Sequence, residues 1–193
     1  MARPPRLADV RVAAIDGPSG SGKSTFAARL AEQCARSGTD VAVVHTDDLL
    51  DGWGHPSNFG PYLRQWILNP LAAGGEARYR AYDWNLDKFG PDWRRIPRPD
   101  LLIVEGVTTA AAAWRPVLSY SVLMTADSEL CLARGIDRDG ERVRGALEIW
   151  RGHEAAHYAA DRTEAHVDTI VDSDSALPHD ERTQFVEVTT ATG

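Results

Sequence analysis

The stretch "DGPSGSGKST", Asp16 to Thr25, decides how this chain is read. It follows a short apolar run, "VRVAAI" (Val10 to Ile15), and opens into "STFAARLAEQCARSG", which has helical spacing. Gly17, Gly22, Lys23 and Ser24 satisfy G-x-x-x-x-G-K-[ST] in the setting that pattern needs, between a strand and a helix. Glycines let successive main-chain N–H groups turn inward around an anion. The helix N-terminus adds the positive end of its dipole. Such a loop holds a phosphate chain, so Gly17, Ser19, Gly20, Ser21, Gly22, Lys23, Ser24 and Thr25 are the candidate nucleotide-binding residues. Lys23 is placed to reach the β- and γ-phosphates, and the Ser24 hydroxyl suits Mg²⁺. The open question is where the phosphate goes: to water, to a protein partner, or to a small acceptor.

Working outward, apolar runs alternate with helical patterns. "VAVVHT" (Val41 to Thr46), "LLIVEGV" (Leu101 to Val107), "YSVLMTA" (Tyr120 to Ala126) and "VDTIVD" (Val167 to Asp172) join the first run as five expected strands. A weak alternation in "FVEVTT" offers an additional edge strand. Helices are expected after the phosphate loop, through "YLRQWIL", over "AAAAWRPVL", and as two segments between Ser128 and Asp161, where glycines punctuate the pattern. In the first helix Phe26, Ala27, Leu30, Ala31 and Cys34 share one face. Strand–helix alternation predicts a three-layer α/β/α fold with a five-stranded, mostly parallel sheet. We read residues 1–193 as one domain, with a lid near 134–145 and irregular acceptor-side insertions near 49–60 and 76–99.

Composition narrows the classes. Hydrophobic residues are 43% and charged residues 25%, as in ordinary globular domains, and the net charge of −7 argues against binding nucleic acid through bulk charge. The two cysteines, Cys34 and Cys131, lack metal-type spacing and read as buried thiols. The N-terminal "MARPPRLADV" carries no apolar signal stretch, and no run has the length of a membrane helix. A cytoplasmic location with no membrane or nucleic-acid partner is the expectation, and a homo-oligomer is compatible with the sequence.

Several residues point to a small acceptor. Asp47 and Asp48 follow the second strand, where a carboxylate can take or orient the proton of an attacking hydroxyl. Neighbours at a strand end point opposite ways, which favours Asp47 as the base and leaves Asp48 as a secondary candidate. Glu105 ends the central strand "LLIVEG", at the carboxyl edge where α/β sites lie, and is the second magnesium candidate beside Ser24. "DGWGHPSNF" supplies Trp53, His55, Ser57, Asn58 and Phe59; "AYDWNLDKFG" supplies Tyr82, Asp83, Trp84, Asp87 and Lys88. Aromatics beside polar groups suit an acceptor that is part ring and part hydroxyl. Arg134, Arg138 and Arg142 are spaced four apart, a row that could shield charge on a transferring phosphoryl group, with Gly135 and Gly140 as hinges. The competing reading is a solvated helix in which Asp137, Asp139 and Glu141 neutralise the arginines.

Taken in order, "DGPSGSGKST", Asp47, "YDW" at Tyr82 to Trp84, "EG" at Glu105-Gly106 and R-x-x-x-R-D from Arg134 to Asp139 resemble the uridine kinase-like branch of P-loop small-molecule kinases, relatives of phosphoribulokinases and bacterial pantothenate kinases. The resemblance runs over about Val10 to Asp172. It implies a nucleoside-kinase-like sheet, MgATP as donor, transfer to a primary hydroxyl, Asp47 as base, and Arg134 and Arg138 as lid arginines. The chain departs from that pattern in the acceptor region, where "GHPSNFG" puts Ser57 in place of an expected aspartate and Asp87 in place of a histidine.

Two rivals stand beside this reading. "HEAAH", His153 to His157, matches H-E-x-x-H, which on a helix can hold zinc with Glu154 as base; Thr163 occupies the usual third-ligand position and Glu181 is a distant substitute. The other rival is a P-loop ATPase or nucleotide-binding module with no small acceptor.

Overall fold

The computed structural model describes residues 3–188. In chain order it runs β1 (Arg11–Asp16), α1 (Lys23–Arg36), β2 (Val41–His45), then a helical run built of α2 (Gly60–Tyr62), a π-helical turn (Leu63–Leu68) and α3 (Asn69–Ala72). An arm of four short strands follows: β3 (Ala77–Tyr79), β4 (Tyr82–Asp83), β5 (Lys88–Phe89) and β6 (Arg94–Ile96). The chain returns to the sheet with β7 (Leu101–Glu105) and β8 (Tyr120–Thr125), passes through α4 (Ser128–Asp139) and α5 (Arg144–Asp161), and ends in β9 (Thr169–Asp172) and β10 (Val186–Glu187).

The main sheet has six strands in the order β10-β9-β8-β1-β7-β2. Five are parallel, and β10 pairs antiparallel with β9. The five-stranded expectation is therefore short by one: the weak alternation of "FVEVTT" does form an edge strand, and its last residues lie outside the described residues. Side-chain alternation divides the core. Val12 and Ala14 face one layer with Phe59, Ile67, Leu71, Trp114 and Trp150; Ala13 and Ile15 face the other with Ala27 and Val122. Both faces of β1 are buried, which is why its sequence is an unbroken apolar run. In α1, Phe26, Ala27, Leu30 and Ala31 pack on the second layer, whereas Cys34 remains part-exposed.

Two local expectations change. "AAAAWRPVL" is not an α-helix but a series of turns ending in a 3₁₀ turn at Arg115–Val117. The buried Asp16 carboxylate captures the amides of Thr108 and Ala110 at 2.8 Å each, and Thr108 takes a left-handed φ of 68°, so the segment cannot start helically. Residues 76–99 are not irregular throughout: β3 pairs with β6, and β4 pairs with β5 nested at the tip. Their strands are two or three residues long, too short for alternation to show in the sequence. The two-helix expectation for 128–161 holds, with the break at Gly140.

Candidate functional site

β7 lies between β1 and β2, and register aligns Ile15, Glu105 and His45 at one level. Everything beyond that level is loop, so the carboxyl edge of three strands collects the chemistry. Gly106, just past β7, has φ 148°, and a Cβ there would fall 1.7 Å from the Thr46 hydroxyl oxygen; only glycine lets the two strand ends approach this closely.

The phosphate loop leaves β1 at Gly17 and enters α1 at Lys23. Gly20 has φ 82° and rests against α4, where a Cβ would lie 2.1 Å from the Cys131 carbonyl oxygen. Lys23 Nζ donates to the Pro18 carbonyl at 2.9 Å, closing the cradle. The Ser21 carbonyl accepts from the Ser173 hydroxyl at 2.8 Å. Among the described residues none accepts from the amides of Gly20, Gly22, Lys23, Ser24 or Thr25, and α1 has no side-chain cap. A bed of unpaired donors at a helix start suits an anion, because an anion satisfies groups the fold leaves open.

Ser24 and Glu105 meet beside this bed: the Ser24 hydroxyl donates to Glu105 Oε1 at 2.9 Å. His45 Nδ1 bonds the same oxygen. Burial pushes Glu105 up, but the bond to His45, the Lys23 charge and the Ser24 hydroxyl outweigh it, and its carboxyl stays below the usual glutamate range. The bond to Glu105 in turn raises His45. A hydroxyl against an ionised carboxylate next to a phosphate bed is a donor set that fits Mg²⁺ with its waters. His45 carried no signal in the sequence, because its role comes from the strand order alone.

Two cavities flank the loop. One, of about 420 Å³, is lined by Gly22, Thr25, Phe26, Arg29, Arg134 and the segment after β9. The other, of about 780 Å³, is lined by Ser19, Asp47, Trp53, Trp84, Arg138, Arg142 and Trp150, among others. Asp47 is exposed on the wall of this open cleft. Partial loss of solvent within the cleft raises its pKa, and Glu105 raises it further, against Lys23, Arg138 and His45, which lower it. Trp84 Nε1 donates to the Asp47 carbonyl at 3.2 Å, and Trp53 stands edge-on to Trp84 and Trp150 with ring centroids 5.4 and 5.8 Å apart.

Asp48, Tyr82, Asp83, Asp87 and Phe59 do not line the cleft. Asp48 accepts from the Tyr79 hydroxyl at 3.1 Å and pairs with Arg94 at 2.6 Å, tying the turn after β2 to the strand arm. The Tyr82 hydroxyl donates to Asp87 at 2.5 Å and is pushed up to about 12 by that bond. Asp83 takes the amides of Asn85 and Leu86 in the β4–β5 turn. Phe59 is fully buried core.

The arginine row is divided. Arg134 lies on α4 beside the smaller cavity, with Nη1 3.4 Å from the Gly20 carbonyl. Arg138 reaches the larger cleft while paired with Asp139 at 2.7 Å. Arg142 falls in the 3₁₀ turn Glu141–Val143, after the helix has ended, so the three do not share one helix face. Gly135 is buried, with the Leu147 side chain 3.2 Å from where a Cβ would sit; it is a packing contact between α4 and α5 rather than a hinge.

Sequence reasoning also passed over Asp16 and the inner face of α5. Asp16, fully buried, accepts from the amides of Gly17, Thr108 and Ala110 and from the Tyr158 hydroxyl, so one carboxylate ties the phosphate loop to β7's exit loop and to α5. Burial pushes its pKa up, against the bonds from Ala110, Tyr158 and Gly17 and the charge of Lys23. In "HEAAH", Glu154 turns inward while His153 is exposed and ring-stacks with His55. Glu181 pairs with Arg29 on the far side of the loop. Among the described residues no group of three or more His, Cys, Asp or Glu side chains could hold a metal, so the zinc reading has no site. A stripe of Leu147, Trp150, Glu154 and Tyr158 at helical spacing was the available signal.

No family model matches the sequence, and no curated protein matches it. Solved structures do. A protein described as a possible uridine kinase from Bacillus stearothermophilus superposes with a TM-score of 0.60 at 21% identity, covering 84% of this chain and 89% of its own. D-glycerate 3-kinase from Cryptococcus neoformans var. grubii gives 0.61 at 11%, covering 86% and 87%. The protein YGR205w gives 0.61 at 13%, covering 94% and 91%. These likenesses establish the fold as that of the P-loop kinases, with a mainly parallel sheet between helical layers. Among the described residues, no helix is long and apolar enough to cross a membrane.

Proposed function

We propose that this chain transfers the γ-phosphate of MgATP to a hydroxyl of a small metabolite, with a nucleoside-like acceptor as the first choice. The observation that carries the reading is the bed formed by the unpaired amides of Gly20, Gly22, Lys23, Ser24 and Thr25, with a cavity on each side, one beside Arg134 and one holding Asp47. The smaller cavity would take the donor's base and sugar, the bed its phosphates, and the larger cleft the acceptor.

In this reading Lys23 and the loop amides hold the phosphates and offset their charge. Ser24 and Glu105 would hold Mg²⁺, which supplies neutralisation of charge on the phosphate oxygens. Asp47 accepts the proton of the attacking hydroxyl, a task suited by a pKa raised toward the working pH. Arg138 exchanges Asp139 for the transferring group, and Arg134 stays with the donor. The tryptophans of the cleft offer faces for a ring or a sugar. They favour a cyclic acceptor and leave base and sugar identity to experiment.

The test is a panel of nucleosides, sugars and hydroxy acids incubated with MgATP and scored by ADP release. The expected result is acceptor-dependent turnover for one class, abolished in Asp47→Asn. An ATP hydrolysis rate that no acceptor stimulates would instead support an ATPase or nucleotide-binding module.

A further inference from the structure

Glu154 is a buried carboxylate, 2% exposed, that the proposed transfer does not use. Its Oε1 accepts from the Ser19 amide at 3.0 Å and from the Ser19 hydroxyl at 2.7 Å. Both bonds engage the phosphate loop itself. Ser19 lines the acceptor cleft, whereas Gly22 and Thr25 line the cavity on the other side. A phosphate chain laid along the loop from the second cavity toward the cleft therefore ends beside Ser19. The residue is held there from a rigid base: α5 buries Leu147 and Trp150 on the same face, and Tyr158 anchors it to Asp16 at 2.8 Å.

We propose that Glu154 is a specificity-determining residue that sets the balance between triphosphate and diphosphate nucleotides. The inference rests on the nucleotide reading of the loop. The carboxylate places negative charge at the end of the bed where only a third phosphate would arrive, and it withdraws the Ser19 amide from that phosphate. In a partly enclosed site such a charge is felt more strongly than in water. A diphosphate, held further along the bed, escapes most of this cost. Glu154 thus lowers affinity for the donor relative to its spent product and favours departure of the terminal phosphoryl group.

Binding of two probes, Mg-AMP-PNP and Mg-ADP, measured by calorimetry on wild type and Glu154→Gln, tests this without any acceptor. Gln keeps an oxygen that can accept from Ser19 and discards the charge. The AMP-PNP Kd is expected to fall about 5- to 20-fold, with the ADP Kd within about 2-fold. Glu154→Asp, which retains the charge, should stay near wild type; Glu154→Ala carries the same expectation as Gln should Gln fail to fold. Equal changes for both nucleotides, or no change for either, overturn the inference while leaving the nucleotide site intact. A wild-type protein that binds neither probe overturns the reading of the loop as well.

Discussion

Asp47 and Asp16 are both aspartates at strand ends, and the structure puts them in opposite settings. Asp47 opens on a cleft with its pKa raised, first by partial loss of solvent and then by Glu105. In the proposed role of base only the ionised form is active, so kcat should fall as pH drops through that raised value, giving an acid limb above the ordinary aspartate range. The same shift has a stability sign. The fold favours protonated Asp47, so its stabilising contribution is present below the unfolded pKa and is lost as pH rises through the folded one. Asp47→Asn should therefore lower kcat by about 10²- to 10⁴-fold while the melting temperature at pH 7 is no lower than wild type. Asp16 is fully buried and serves four donors. Asp16→Ala would leave buried amides unpaired at about 1–3 kcal/mol each, a loss that denaturant unfolding would register before any assay of activity.

At the scale of elements, the phosphate loop depends on α4 for its shape. Gly20 turns with φ 82° against the Cys131 carbonyl. Gly20→Ala should cost about 1–3 kcal/mol from the backbone alone and should abolish nucleotide binding by calorimetry, since the clash involves main chain that cannot swing aside. α4 carries two of the arginines one turn apart, with Arg138 on the cleft and Arg134 beside the other cavity, while the break at Gly140 takes Arg142 off the helix. Arg138→Ala is expected to reduce kcat about 10²-fold or more with little effect on Mg-ADP affinity, whereas Arg134→Ala should act chiefly on nucleotide affinity. These elements also mark what sequence could and could not disclose. The strand–loop–helix around Gly17 to Thr25 was legible because motif, apolar run and helical spacing agreed. Glu105 was legible because a four-residue apolar run precedes it. The segment over "AAAAWRPVL" misled because its amides answer to Asp16, more than ninety positions earlier. The H-E-x-x-H pattern misled for a related reason: helical spacing brings residues to one face, but only packing says what that face meets.

For the whole molecule, the order β8-β1-β7-β2 sets two cavities on either side of one loop. A ligand that spans them binds the folded state and not the unfolded chain. At about 100 times its Kd, MgATP should stabilise by about 2.7 kcal/mol and raise the melting temperature by about 5–10 °C for a chain of this size, a shift that thermal-shift fluorescence can read.

The sequence by itself determined the phosphate loop, the alternation that makes the sheet parallel, and the placing of Asp47 and Glu105 at strand ends, since each depends on neighbours within a few residues. Only the tertiary structure decided that His45 supports Glu105, that Asp48 and Asp87 bind their own protein, that the arginines divide between two cavities, and that Glu154 grips Ser19. Those outcomes join residues up to 135 positions apart, and such pairings follow from strand order and helix packing, which no local pattern encodes.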